Sequence, residues 1–207
     1  MRWPAALATV LALLTAGALT HQPPAREPLP YKDPRLPVDA RLKDLLARMT
    51  LEEKFWQLYM TTGGPDVSSG LPAGASGKAS DYSRGVFGLQ IPTVPRGPDG
   101  VPATMPPEGA ARRHAGRINA IQRFFVEETR LGVPIIPFDE ALHGLVQPGS
   151  TMFPQAIGLA ATWDPRLVSR VAGAIACETR TRGIRQVLSP VVNIADDVRW
   201  GRVEETQ

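Results

Sequence analysis

Apolar residues recur at helical spacing over Val38, Leu42, Leu45, Leu46 and Met49, which predicts a helix with those side chains along one face. Thr50 and Glu53 follow at the spacing of a capping box, in which hydroxyl and carboxylate each satisfy the other's main-chain N–H. They precede Phe55, Trp56, Leu58 and Tyr59, so a second short helix is predicted there. From residue 61 to about 109 the chain is rich in Gly, Pro and Ser, and GVFGLQI at 85–91 is its one strand-like piece. Residues 112–131 place Ala115, Ile118, Ile121 and Phe125 on one helical face, with Gly132 where a C-terminal cap glycine belongs. VPIIPF at 133–138 is a continuous apolar run of strand length. Asp164 before Pro165 has the form of an N-cap with proline in the first helical position. Leu167, Val171 and Ile175 then mark the buried face of a helix that Gly183 ends. QVLSPVVNI at 186–194 reads as a second buried strand.

Strands that are apolar throughout, separated by a helix, predict parallel pairing with both sheet faces covered, and the fold class is therefore α/β. No internal repeat is evident. The polar residues gather where the two apolar runs end. Asp139, Glu140 and His143 follow the first; Asp196, Asp197, Arg199, Trp200, Arg202, Glu204 and Glu205 follow the second. Parallel α/β proteins build their sites at the C-terminal ends of the strands, so both clusters are expected on one face and in one site.

Composition narrows the class further. A chain of 207 residues, 43% hydrophobic and 21% charged, can bury a sizeable core, while 19 Gly and 21 Pro fit a loop-rich enzyme better than a helical bundle. The net charge of +3 comes from scattered Lys and Arg, with Arg112 and Arg113 the densest point, so no nucleic-acid partner is expected. Residues 1–20 carry Arg2, an apolar run and small residues at 16–18. This is the layout of an export signal rather than of a membrane anchor, and no membrane partner is expected beyond that export. The proline-dense segment 21–37 reads as a linker ahead of one domain over 38–207. Cys177 is the one cysteine, which excludes an intrachain disulfide; its helical context predicts a small buried side chain rather than a nucleophile.

Each polar cluster also has a plainer reading. Glu140 and His143 share the Glu-x-x-His spacing of di-iron bundles, but those sites need paired helices and further carboxylates, whereas this motif occurs once and follows a strand. No metal is expected. His143 reads equally as a loop histidine bonded to backbone. Asp196, Asp197, Arg199 and Arg202 read equally as a solvated loop network of little energetic weight. Trp200 weighs against that, because a flat aromatic surface beside carboxylates and guanidinium groups suits the apolar face and hydroxyl rim of a sugar ring.

Four segments carry a family resemblance: RLKDLLARMTLEEKFWQL (41–58), TRLGVPIIPFDEALHG (129–144), TMFPQAIGLAATWDPRLVSRVAGAIACETRTRGI (151–184) and LSPVVNIADDVRWGRVEET (188–206). In order and spacing they resemble the N-terminal domain of glycoside hydrolase family 3, the exo-acting β-glucosidases and β-xylosidases. The match runs from about residue 31 to 207. The resemblance implies a (β/α)8 barrel whose strand ends hold the non-reducing sugar. It implies an oligosaccharide or aryl β-glycoside as partner, retention of configuration and no cofactor. In the family pattern an Asp or Glu ahead of His-Gly grips pyranose hydroxyls, and in EALHG (140–144) that residue is Glu140. The second arginine of the family pattern RDPRWGR matches Arg202 and is a sugar contact by the same resemblance. His143 and Trp200 are candidate site-lining residues.

This chain departs from that pattern in DDVRWGR (196–202), where Asp196 stands for an arginine and Val198 for a proline. The exchange reverses a charge and frees a backbone position. The resemblance further implies that the chain ends within the first half of the barrel. Retaining glycosidases need a nucleophile and an acid/base carboxylate, and no position here matches either of the family's motifs. Asp139, Glu140, Asp196 and Asp197 are not assigned those roles, and no catalytic residue is expected among these residues. A non-catalytic carbohydrate-binding or vestigial protein is the alternative reading.

Overall fold

The computed structural model describes residues 29–64, 82–93 and 106–203. Residues 1–20, where an export signal is expected, most of the expected linker 21–37, and the acidic residues Glu204 and Glu205 lie outside them. The described residues fall into two compact units divided between Arg48 and Met49.

The first unit contains a turn of 3-10 helix at Pro30–Lys32 and the helix α1 at Val38–Arg48. They are tied together by polar bonds: Arg41 Nε donates to Tyr31 O at 2.9 Å, and Tyr31 N donates to Asp44 Oδ2 at 3.2 Å. Tyr31 is buried by these contacts, whereas the helix itself buries none of its residues.

The second unit runs α2 (Leu51–Trp56), β1 (Met60–Thr62), β2 (Gly88–Gln90), α3 (Ala110–Glu127), β3 (Ile136–Asp139), α4 (Ala156–Ala160), α5 (Pro165–Thr181) and β4 (Gln186–Val187). The four strands form one parallel sheet in sequential order, β1-β2-β3-β4. The α/β class and parallel pairing follow the apolar runs. The capping box forms as its spacing predicts, with Glu53 N donating to Thr50 Oγ1 at 3.1 Å and Thr50 N to Glu53 Oε2 at 2.9 Å. Arg130 adds a pair of bonds to the buried Glu53 carboxylate, from Nε to Oε1 at 2.9 Å and from Nη2 to Oε2.

The core lies between α3 and the sheet. Ile118, Ile121, Phe124 and Phe125 of α3 pack with Leu89, Ile91, Ile135, Leu145 and Ile184. Gln122 fixes the start of β3 by clasping both main-chain groups of Ile135: its Nε2 donates to the carbonyl at 2.7 Å, and its Oε1 accepts from the N–H at 3.1 Å. Gly88 is required where β2 meets β3, because a Cβ there would lie 2.9 Å from Ile136 O. At the start of α5 the predicted cap is present, with Asp164 Oδ1 accepting from Arg166 N at 2.9 Å and Leu167 N at 3.0 Å.

Six expectations change. The strand expected over 133–138 is Ile136–Asp139, three residues later at its start and one at its end. The strand β1 exists at Met60–Thr62, although its three residues carry no apolar run; its pairing to β2 supplies the order that pattern alone lacks. The helix expected over 112–131 runs Ala110–Glu127, because the Thr129 hydroxyl bonds to Phe125 O at 2.5 Å and competes with continuation of the helix. The strand expected over 186–194 is confined to Gln186–Val187 and is half-buried. Beyond it Pro190 has no N–H to give a ladder, and Val192 and Ile194 are exposed. Of the face expected to be buried on α5, Val171 is buried while Leu167 and Ile175 are half-buried. Cys177 is exposed rather than buried, because it lies on the side of α5 that no described residue covers. The half-open face of α5 borders a groove of about 1000 Å³ lined by Leu142, Ile157, Val168, Val171, Ile184 and Val187 among others.

Candidate functional site at the strand ends

Asp139 closes β3 and is 1% exposed. A carboxylate so placed must find donors, because desolvation of an unpaired charge is costly. It finds three: Gln90 Nε2 at the end of β2 donates to Oδ1 at 2.9 Å, Glu140 N to the same oxygen at 2.8 Å, and Gln147 Nε2 to Oδ2 at 2.5 Å. Gln147 is itself oriented from its other end, where Oε1 accepts from Thr93 N at 3.2 Å and from Thr93 Oγ1 at 2.5 Å. Residues from the ends of two neighbouring strands and from the loops after them thus form one bonded set.

The loop after β3 carries Glu140 and His143, both half-buried. Glu140 O accepts from Val146 N at 3.2 Å, and His143 O accepts from Phe153 N at 2.7 Å, so the loop is folded back on itself. Gly144 makes that fold possible. Its φ is +127°, and a Cβ there would collide with the Thr151 carbonyl oxygen. Thr151 is held in turn by Glu178 of α5, which accepts from Thr151 N at 2.9 Å and Oγ1 at 2.6 Å; these bonds keep the Glu178 carboxyl below its ordinary range.

Buried cations and an imidazole lie beneath this loop. His114 of α3 is 1% exposed and donates from Nε2 to Ile91 O at 2.6 Å, while its Nδ1 has no hydrogen-bond partner. Burial pushes the imidazole below its usual range, opposed by the bond to Ile91 and the charge of Asp139. Arg182 is buried after α5; its Nη2 donates to Pro148 O at 2.9 Å and its Nη1 has no partner. Burial lowers its pKa, opposed by the charges of Glu178 and Asp139. Arg117 donates to Pro92 O at 3.2 Å and completes the set.

The second predicted cluster follows β4 only after the irregular segment 188–194. Trp200 is about half exposed at 47%, and Asp196 and Arg202 are exposed. Asp197 and Arg199 pair with each other: Arg199 donates from N to Oδ1 at 2.9 Å and from Nη2 to Oδ2 at 2.5 Å, and these bonds hold the Asp197 carboxyl below its ordinary range. That pair matches the solvated-loop reading. Glu140 and His143 therefore share the loop that directly follows β3, whereas Trp200 and Arg202 share a turn that follows β4 only after an irregular segment. Among the described residues no three His, Cys, Asp or Glu side chains come together as metal ligands.

The sequence reading missed Gln90, Thr93, His114, Gln147 and Arg182. Gln90 alone carried a usable signal, as the polar residue near the end of the apolar run 85–91. The others converge only through the tertiary fold.

A family model described as "Glycosyl hydrolase family 3 N terminal domain" matches residues 106–207. The periplasmic β-glucosidase/β-xylosidase of Dickeya chrysanthemi is 31% identical over 205 residues, covering 94% of this chain and 30% of that protein. β-Glucosidase C of Emericella nidulans is 33% identical over 197 residues, covering 87% of this chain and 28% of that protein. The solved structure of a β-glucosidase from Erythrobacter marinus superposes with a TM-score of 0.61 at 34% identity, covering 85% of this chain and 21% of that one. The chain thus spans less than a third of the length of each of these relatives.

Proposed function

The chain belongs to glycosyl hydrolase family 3, and from that premise we propose that it supplies part of the sugar-recognition surface of an exported, exo-acting β-glycosidase. The enzyme hydrolyses terminal β-linked glucose or xylose with retention. Glu140 and Arg202 hold hydroxyls of the terminal sugar, and His143 and Trp200 line its path. One observation carries this reading: Glu140 and His143 sit on an ordered, half-buried loop at the C-terminal end of a parallel strand, where parallel α/β proteins bind their ligands. The Dickeya relative is named periplasmic, which supports export.

Asp139 and Asp197 fit a structural role rather than the two catalytic ones. Asp139 is buried and engaged by three donors, and Asp197 is engaged by Arg199, which favours neither attack nor proton transfer by them. Nucleophile and acid/base belong to the whole enzyme beyond these residues. The test is a ligand-observed NMR titration of the protein with methyl β-D-glucopyranoside and methyl β-D-xylopyranoside. Saturation transfer to ring protons, lost in Glu140→Gln, is expected; transfer unaffected by that substitution contradicts the reading.

A further inference from the structure

We propose that Asp139 is a positioning residue for sugar binding: its carboxylate fixes the polarity of the Gln90–Asp139–Gln147–Thr93 chain of hydrogen bonds and thereby sets where the following loop presents Glu140. The proposal rests on the reading of Glu140 as a sugar contact.

The argument is one of donor and acceptor counting. Thr93 N–H can only donate, so the oxygen of the Gln147 amide must face it. The Gln147 NH2 must then face Asp139, where it needs an acceptor. Glu140 N–H also can only donate, and it needs an acceptor on the other oxygen, as does the Gln90 NH2. Both oxygens of residue 139 must therefore accept, which an ionised carboxylate does and an amide does not. Since the group is 1% exposed, water cannot freely replace a lost partner.

The consequence for Glu140 is direct. Its N–H is bonded to the neighbouring Asp139 side chain, and its carbonyl holds Val146, the residue before Gln147. Both ends of the segment 140–147 are thus anchored on the same carboxylate. The buried Arg182, bonded to Pro148 O and within the field of Asp139, compensates the charge at the loop's far end.

In Asp139→Asn, whichever way the new amide turns, one main-chain N–H loses its acceptor. With the new amide oxygen towards Glu140, the Gln147 amide must turn over and Thr93 N–H is orphaned. With the new amide nitrogen towards Glu140, that residue's own N–H is orphaned. The double variant Asp139→Asn/Gln147→Glu restores every bond with the polarity reversed. The amide oxygen at position 139 accepts from Gln90 and Glu140, its NH2 donates to the carboxylate introduced at position 147, and that carboxylate accepts from Thr93. The charge moves by one side chain and stays beside Pro148 and Arg182.

The experiment measures amide hydrogen exchange at Thr93 and Glu140, and affinity for methyl β-D-glucopyranoside and methyl β-D-xylopyranoside, in the wild type, Asp139→Asn, the double variant and Glu140→Gln. Asp139→Asn is expected to speed exchange at one of the two amides at least tenfold and to weaken the sugar at least fivefold, with both restored to within about twofold in the double variant. A merely structural carboxylate would not be rescued by reversing polarity. If Asp139→Asn leaves exchange and affinity unchanged, or the double variant is no better than the single, the positioning role is overturned while loss of binding in Glu140→Gln still stands. Affinity unchanged in Glu140→Gln overturns the sugar reading itself, and the use of the loop with it.

Discussion

Gln90, at the end of β2, and Asp139, at the end of β3, are joined by a hydrogen bond of 2.9 Å although 49 residues separate them in the chain. The bond turns two strand ends into one polar surface. It also explains why the loop that carries Glu140 is ordered: its first N–H and the Gln147 amide converge on the same carboxylate.

His114 gives the fold an acid-sensitive element. Burial holds its folded-state pKa below the ordinary value of about 6.5, so the native state binds fewer protons than the unfolded chain in the window just below that value. Stability is therefore full above about pH 6.5 and falls as the pH drops through it. His114→Gln keeps a donor for Ile91 O and removes the proton linkage. Thermal melts between pH 5 and 7 are expected to show a shallower slope in the variant, and parallel slopes would exclude His114 as the source.

Glu53 acts in the opposite part of the pH scale. Arg130 first, and Thr50 in addition, hold its carboxyl below the ordinary glutamate range, so its contribution is present above that range and is lost as the pH falls through the lowered folded-state value. Glu53→Ala removes the capping box and the partner of a half-exposed arginine, a loss of about 1–2 kcal/mol at neutral pH after discounting the ion pair for solvent screening. Urea denaturation at pH 7 and pH 3 measures this. A difference between variant and wild type that is no smaller at the lower pH would contradict it.

Gly144 tests the loop. Its positive φ and the nearness of the Thr151 carbonyl make Gly144→Ala costly by about 1–3 kcal/mol or more, since strain and collision add. The variant is expected to lower Tm and to weaken binding of a β-glycoside together. A variant with wild-type Tm and affinity would show that the loop tolerates the displacement.

The architecture was legible in the sequence where apolar runs were long enough to have one reading, and the site was legible only in part. VPIIPF at 133–138 specifies that a strand is present but not its bounds, since β3 is Ile136–Asp139, and the Asp164–Pro165 start of α5 is set locally by cap chemistry. Met60–Thr62 is not set locally, because a three-residue strand takes its identity from the neighbour it pairs with. QVLSPVVNI looks like a strand yet keeps only two residues in the sheet, since Pro190 removes a donor and Val192 and Ile194 meet no described partner. Glu140 and His143 were found because they follow an apolar run. The residues bonded around Asp139, namely Gln90, Gln147 and through it Thr93, are ordinary polar residues whose roles exist only once β2 and β3 are side by side.

The 207 residues alone are expected to release no nitrophenol from 4-nitrophenyl β-D-glucoside or β-D-xyloside above a buffer control. The reason is that Asp139 and Asp197 are engaged, and that the resemblance leads to no expected counterpart of the family's nucleophile or acid/base among these residues. Release that persists through repurification and follows the protein in every fraction would show that a catalytic pair is present.

The most direct test of sugar recognition is kcat/KM for one aryl β-glycoside in the whole enzyme carrying Glu140→Gln, Arg202→Met or Asp196→Asn. Charge-assisted hydrogen bonds of roughly 1.5–3 kcal/mol that tighten in the transition state predict losses of about one to two orders of magnitude for the first two. Asp196, exposed and outside the family pattern, is expected to change it by less than about threefold on the scale of surface charges. Wild-type efficiency in both Glu140→Gln and Arg202→Met would contradict the assignment and return both clusters to solvated loops.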